Sequence, residues 1–194
     1  MSDTGMFVEP DTFTTEDRAL LLDVHGREQA RTETFVRDVE DGTLVEGYEK
    51  REVFTFTEPS LGELCFDVHS IRTGIASGRI PAAMFRLEKI PEHFYQHVLT
   101  NNGVETERFM RLTARDLERP GIMVMWPNSE NTTLIDGNHR MCRRYQLDRQ
   151  GFRFLLVRVA DCAAHICRPG EEERLFHRER PGVEVLHTEI KVEE

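Results

Sequence analysis

The sequence predicts an α+β fold, and three observations carry that expectation. Short runs at 53–56, 122–126, 132–135 and 152–159 are rich in β-branched and aromatic residues, as strands are. A longer stretch at 139–150 has helical spacing, with Met141 and Tyr145 four apart. From 108 to 159 the order reads strand, short helix, strand, turn, strand, helix, strand, which suits a sheet with helices against it rather than an all-α or all-β domain. At 194 residues the chain is long enough to bury roughly 70% of its unfolded surface without disulfide or metal staples.

The elements follow from local signals. Thr14, Thr15, Glu16 and Asp17 open a helix whose apolar residues run from Ala19 to Leu22 and Val24, before Gly26. Residues 27–50 are charged and broken by Gly42 and Gly47, which leaves short strands and a linker as alternatives. Residues 52–57 read as a strand, and so do 63–70, where Leu64, Phe66 and Val68 alternate with Glu63, Asp67 and His69; Pro59 and Gly62 suit the turn between them. A Gly-containing segment, 73–79, leads to Pro81. Pro91 suits the first position of a helix with Phe94 and Val98 on its apolar face, and Gly103 stops it. Residues 108–112 fit a short strand, Thr113 caps a helical turn at 114–118, and Pro120-Gly121 precedes the strand at 122–126. Pro127, Asn128 and Ser129 turn the chain into the strand at 132–135, the helix at 139–150 ends at Gly151, and 152–159 is a buried strand. A last strand or arm is expected at 183–192.

Composition removes several classes of function. A net charge of -10 disfavours sequence-independent adhesion to DNA or anionic lipid, so nucleic acid is not the favoured partner, although a local basic patch is compatible with it. No run approaches the roughly 20 apolar residues of a membrane span, and the first residues lack the basic and apolar regions of a secretory signal, so a cytoplasmic location without membrane association is expected. Cys65, Cys142, Cys162 and Cys167 form no CxxC pair and are expected to be reduced and mostly buried.

The segment that carries chemistry is LIDGNHRMCRRY, residues 134–145, in which an apolar strand runs through a glycine turn into an arginine-bearing helix. The first N–H groups of a helix lack intrahelical partners and lie at the positive end of its dipole, so Asn138, His139 and Arg140 would offer donors to a phosphate. Gly137 allows close backbone approach. Arg140 and Arg144, four apart, with Arg143 beside them, can grip phosphate oxygens, and His139 can donate a hydrogen bond or a proton. Met141 and Tyr145 form the core-facing stripe. The bland alternative is a common Asp-Gly turn, a capping Asp136 and solvated arginines.

The stretch 109–159, with LIDGNHR followed by FRFLLVRV, resembles the ParB/sulfiredoxin-like superfamily, whose Gly-x-x-Arg motif, often written DGxHR, lies between a strand and a helix. The resemblance implies a mixed sheet with flanking helices, here with an N-terminal extension at 1–105, a core at 106–160 and a C-terminal arm or strand at 161–194. It also implies nucleotide binding at Gly137, Asn138, His139 and Arg140, with Arg143 and Arg144 assisting, ATP, ADP or CTP as the nucleotide, and Mg²⁺ alongside. Superfamily activities include sulfinic acid reduction, serine phosphorylation, CTP-switched DNA clamping and nuclease activity. Asn138 stands where sulfiredoxin-like enzymes carry their reactive cysteine, which removes cysteine repair. Partition-type members carry a Gly-Glu-Arg-Arg-like box followed by a helix-turn-helix domain, whereas the box here is Gly137, Asn138, His139 and Arg140 with little more than a charged tail after Ala160, so chromosome partitioning is not the expected activity.

The expected function is therefore phosphoryl transfer from a nucleoside di- or triphosphate to an unidentified small-molecule or macromolecular acceptor. In that reading Arg140 with Arg143 or Arg144 offsets developing charge, and Asp136 or His139 handles the proton. The alternatives are a non-catalytic nucleotide sensor or interaction module of a phage or DNA-modification system, and a nucleic-acid-cleaving or -modifying enzyme. Asp116 and Glu118 are further candidates for the same cleft or for magnesium, with Arg115 and Arg119 beside them; a solvated helix face is the preferred account. His93 and His97, beside Glu92, are four apart on one helix, the spacing with which two histidines can share a metal, but the motif is not HExxH and no third ligand is evident; Cys162, His165 and Cys167 lack the spacing of a standard zinc site. The N-terminal hundred residues stand open to three roles: acceptor pocket, homodimer surface or added core.

Overall fold

In a computed structural model of the chain, the described residues are 8–22, 53–59, 61–127, 132–148 and 151–171. The expectations for 23–50 and 183–192 lie outside them. Among these residues the strands form two sheets. A mixed five-stranded sheet has the order β1 (Val8–Pro10), β4 (Ala83–Leu87), β7 (Phe152–Arg158), β5 (Gly121–Met125) and β6 (Thr132–Asp136). An antiparallel three-stranded sheet has the order β2 (Val53–Glu58), β3 (Gly62–Asp67) and β8 (Ile166–Cys167). The fold is thus α+β, as expected. The larger sheet takes β1 and β4 from before residue 105, so the N-terminal region and the motif-bearing segment share one framework.

Both faces of the larger sheet are covered, and this explains the consecutive apolar residues in β5 and β7. On one face Ile122, Val124, Ile135, Leu155 and Val157 join Leu64 and Phe66 of β3 and Ile71 and Ile75 of α2 (Val68–Ala76). On the other face Met123, Leu134, Phe152 and Phe154 meet Tyr95 and Val98 of α3 (Glu92–Asn101), Phe109 of α4 (Thr106–Met110), and Met141 and Cys142 of α6 (Asn138–Gln146). Trp126 joins the two sheets. Its indole Nε1 donates to Thr133 Oγ1 at 2.9 Å, and its ring stacks on Phe56 and meets Phe66 edge-on. β5 and β7 run parallel, and the β6–α6 passage supplies the crossover that a parallel pair requires.

The helix at 15–22, α1, starts as expected: Thr14 and Asp17 form a reciprocal capping box. Arg153 of β7 bonds Asp11, Asp17 and the Thr12 carbonyl, which ties this N-terminal segment to the sheet. The Thr113 cap of α5 (Ala114–Glu118) is present as a full capping box with Asp116.

Three expectations change. The strand expected at 63–70 ends at Asp67, whose carboxylate accepts from the Ser70 amide and starts α2; the segment at 73–79 is largely that helix. Residues 108–112 are not a strand. The Arg108 and Phe109 amides donate to the Glu105 carbonyl, and burying Phe109 alone is satisfied by the single turn α4. The helix expected at 139–150 is shorter, Asn138–Gln146, and Gly151, at φ +87°, leads into β7 instead of closing it.

Candidate functional site

Strand β6 ends in Asp136, and the chain turns at Gly137 (φ +95°, ψ 7°) directly into α6. The turn must be glycine. A Cβ there would lie 2.9 Å from the Gly121 Cα, 3.1 Å from the Phe152 ring and 3.2 Å from the Arg140 guanidinium. No side chain caps α6, and its first ladder bond runs from the Met141 amide to the Gly137 carbonyl at 2.8 Å. The amides of Asn138, His139 and Arg140 precede that bond and have no partner within the helix.

The Asp136 side chain is 2% exposed and sits between two guanidiniums: Arg72 Nε at 2.9 Å from one oxygen and Arg140 Nη2 at 3.0 Å from the other. Burial alone would push its carboxyl up, but the charges of Arg140 and Arg72 outweigh burial and hold it well below the usual carboxylate range. It is an anion near neutrality and not a group that exchanges a proton there. Arg140 also donates to the Pro120 carbonyl at 3.1 Å, while its Nε is buried without a partner.

Around this clamp lies a cleft of about 280 Å³. Among the described residues, Arg72, Arg108, Arg119 and Arg140 line it with one carboxylate, that of Asp136, and Val53, Phe54, Leu112 and Ile135 form its apolar walls. On a chain of net charge -10, this is a local concentration of positive charge. Arg119 bonds Asp116 at 3.2 Å, and its Nε too is buried without a partner. Burial, followed by repulsion from Arg140, lowers the Arg119 guanidinium to about 10.

His139 and Asn138 have other engagements. The Glu105 amide donates to His139 Nε2 at 3.2 Å, which fixes a neutral ring with its proton on Nδ1. Asn102 donates to Asn138 Oδ1 at 2.8 Å, and Asn138 donates to the Leu134 carbonyl at 3.2 Å. Together they hold the loop between α3 and α4 beside the cleft. Burial, then the Arg108 charge, lowers the His139 pKa from its ordinary 6.5. The depressed value gives a stability contribution that is full above pH 6.5 and lost as the pH falls through the folded-state value. Wild type is therefore expected to lose stability below pH 6.5 more steeply than His139→Gln in urea titrations followed by circular dichroism; parallel pH profiles would refute the lowered pKa.

The structure brings Asp136, Gly137, Asn138, His139 and Arg140 together at the cleft but turns the other two motif arginines away. Arg143 reaches Met110 Sδ at 3.0 Å, and Arg144 donates to the Leu117 and Gly151 carbonyls and to Glu118. They anchor α6 to α4, α5 and the start of β7. Helical spacing placed Arg144 beside Arg140 on one face, yet four residues of rise carry it past the cleft. Asp116 serves the α5 cap, and Glu118, 60% exposed, meets Arg144. Arg72, Arg108 and Asn102 complete the site and carry no sequence signal, because they come from α2, from α4 and from the C-cap of α3, all far away in the chain. Met141 and Tyr145 face the core as expected, Tyr145 stacking on Tyr95 with ring centroids 4.1 Å apart.

The groups implied by the resemblance fit unequally. Phosphate suits the guanidiniums, the partnerless buried Nε atoms and the opening of α6. Magnesium does not suit the protein residues, since both Asp136 oxygens are taken by arginines and Asp116 is committed to its cap. Among the described residues no three His, Cys, Asp or Glu side chains gather as a metal site, including those at 92–97 and 162–167. No described helix is long and apolar enough to cross a membrane. Comparison of the chain with protein-family models, with curated proteins and with solved structures finds no significant match.

Proposed function

We propose that the protein binds the di- or triphosphate of a nucleotide in the arginine cleft at the opening of α6, in the manner of a ParB/sulfiredoxin-like domain. The observation that carries this reading is the excess, among the described residues, of four lining guanidiniums over one lining carboxylate, with buried Nε donors on Arg119 and Arg140 left without partners. A buried donor without an acceptor costs about 1–3 kcal/mol, which an anion would recover. The volume is just below the roughly 300–1,000 Å³ of typical small-molecule sites. That suits phosphates held inside and a base held at the mouth, against Phe54 or Leu112.

Phosphoryl transfer is the second reading, favoured by the same arginines. Such reactions need little more from a protein than positioning and charge stabilisation. The clamped Asp136 and the committed His139 Nε2 leave neither as a ready base, so the acceptor's proton would pass to the phosphate or to solvent. The geometry supports binding more strongly than turnover, and a nucleotide-sensing module meets it in full.

The test is a thermal-shift series with ATP, ADP, CTP and inorganic pyrophosphate, with and without Mg²⁺. Wild type is expected to be stabilised by at least one of them. Arg108→Ala, an exposed residue whose loss leaves the clamp intact, is expected to weaken that ligand about 10–100-fold, the value of one charge-assisted hydrogen bond. No stabilisation by any phosphate compound would end the proposal. Release of ADP or phosphate in the presence of candidate acceptors would decide for transfer over sensing.

A further inference from the structure

We propose that Cys65 and Cys167 form a redox-active dithiol, a site at which a low-molecular-weight disulfide such as oxidised glutathione closes a disulfide between β3 and β8. The inference stands apart from the arginine cleft and does not depend on its ligand.

Cys65 and Cys167 lie 102 positions apart in sequence, yet they are direct partners in the antiparallel β3–β8 register. Directly opposed residues project to the same side of a sheet, with Cα atoms about 4.5–5.5 Å apart, inside the roughly 4.4–6.8 Å that a disulfide spans. Alternation puts this pair on the face away from Leu64, Phe66 and Ile166, which enter the main core. The two thiols form a separate small cluster with Val53. Cys142 and Cys162 belong to the two larger clusters, and burial pushes each of their thiols up to about 12, which keeps them protonated and inert.

Both thiols are buried, Cys65 2% and Cys167 5% exposed, so a small disulfide reaches them only when the sheet edge opens. β8 is a two-residue strand at the edge of its sheet, so local opening there separates few bonds. Thr55, exposed on β2 and opposite Cys65 in register, places its Oγ1 3.7 Å from Cys65 Sγ, where the hydroxyl can donate to a thiolate. In the reaction one cysteine thiolate attacks a sulfur of the small disulfide, forming a mixed disulfide and expelling one small thiolate. The second cysteine, on losing its proton, attacks the protein sulfur of that bond and expels the other small thiol. Two S–H bonds are lost and one S–S bond forms, while the small disulfide is reduced to two thiols.

The experiment uses the full chain in mixtures of reduced and oxidised glutathione, quenched with N-ethylmaleimide and mapped without reduction by mass spectrometry. A 65–167 linked peptide is expected, with loss of two hydrogens, Cys142 and Cys162 still alkylatable after unfolding, and reversal by dithiothreitol. Cys65→Ser is expected to stop at a glutathione adduct on Cys167, and Cys167→Ser at one on Cys65. No 65–167 link in oxidised glutathione, while circular dichroism reports a folded chain, would overturn the proposal. So would a link that forms only in urea.

Discussion

Asp136→Asn is expected to destabilise the protein by about 3–5 kcal/mol, the cost of leaving a buried ion cluster without one partner. The neutral amide has nearly the same shape, so the loss reports charge and not volume. It would leave the Arg72 and Arg140 side chains, 5% and 9% exposed, facing each other with no anion between them. Glu118→Gln is the contrast. Its ion pair with Arg144 leaves Glu118 60% exposed, and screened pairs of that kind contribute about 0–1 kcal/mol. Urea unfolding followed by circular dichroism measures both, and equal losses would sink the account. Because the folded carboxyl is held below its ordinary 3.8, the Asp136 contribution is full above that pH and lost as the pH falls through the folded-state value.

Gly137→Ala is expected to be strongly destabilising. At φ +95° an alanine is strained by about 1–3 kcal/mol, and its Cβ would also meet the Gly121 Cα at 2.9 Å. That neighbour is backbone, so no rotamer change relieves the contact. A Cβ on Gly121 itself would lie 2.6 Å from the Phe152 ring and 2.9 Å from the Asp136 carbonyl, so both glycines sit at a close backbone approach. Gly103→Ala separates the two causes: at φ +61° it has nothing within 4 Å of the added atom and should show the dihedral cost alone. Gly137→Ala is expected to lose at least twice as much stability in urea. Comparable losses would mean that the Gly121 contact has no cost.

What the sequence could reveal depended on distance along the chain. Thr113 with Asp116, Thr14 with Asp17, and the glycine turn before α6 are decided by residues within four positions, and all could be anticipated. Helix α2 was hidden because Gly74 and Thr73 weaken its propensity while Leu64 to Val68 continue a strand-like alternation through its cap. Gly74 is there for packing: a Cβ would lie 2.5 Å from the Ile80 side chain. The motif was legible as a strand, a turn and a helix start, but its electrostatics were not. Arg72 meets Asp136 across 64 positions, and Asn102 meets Asn138 across 36, pairings that only the assembled sheet and helices create. Asp136, which resembled a proton carrier when read alone, is instead the counter-ion around which the cleft is built.

Trp126 is the only tryptophan of the chain, and it stands at the seam between the two sheets, wedged against Phe56 and Phe66. Its emission is therefore a native optical gauge of whether β2 and β3 remain docked on the larger sheet. A labelled cysteine or a fused probe is unnecessary for following that event in real time.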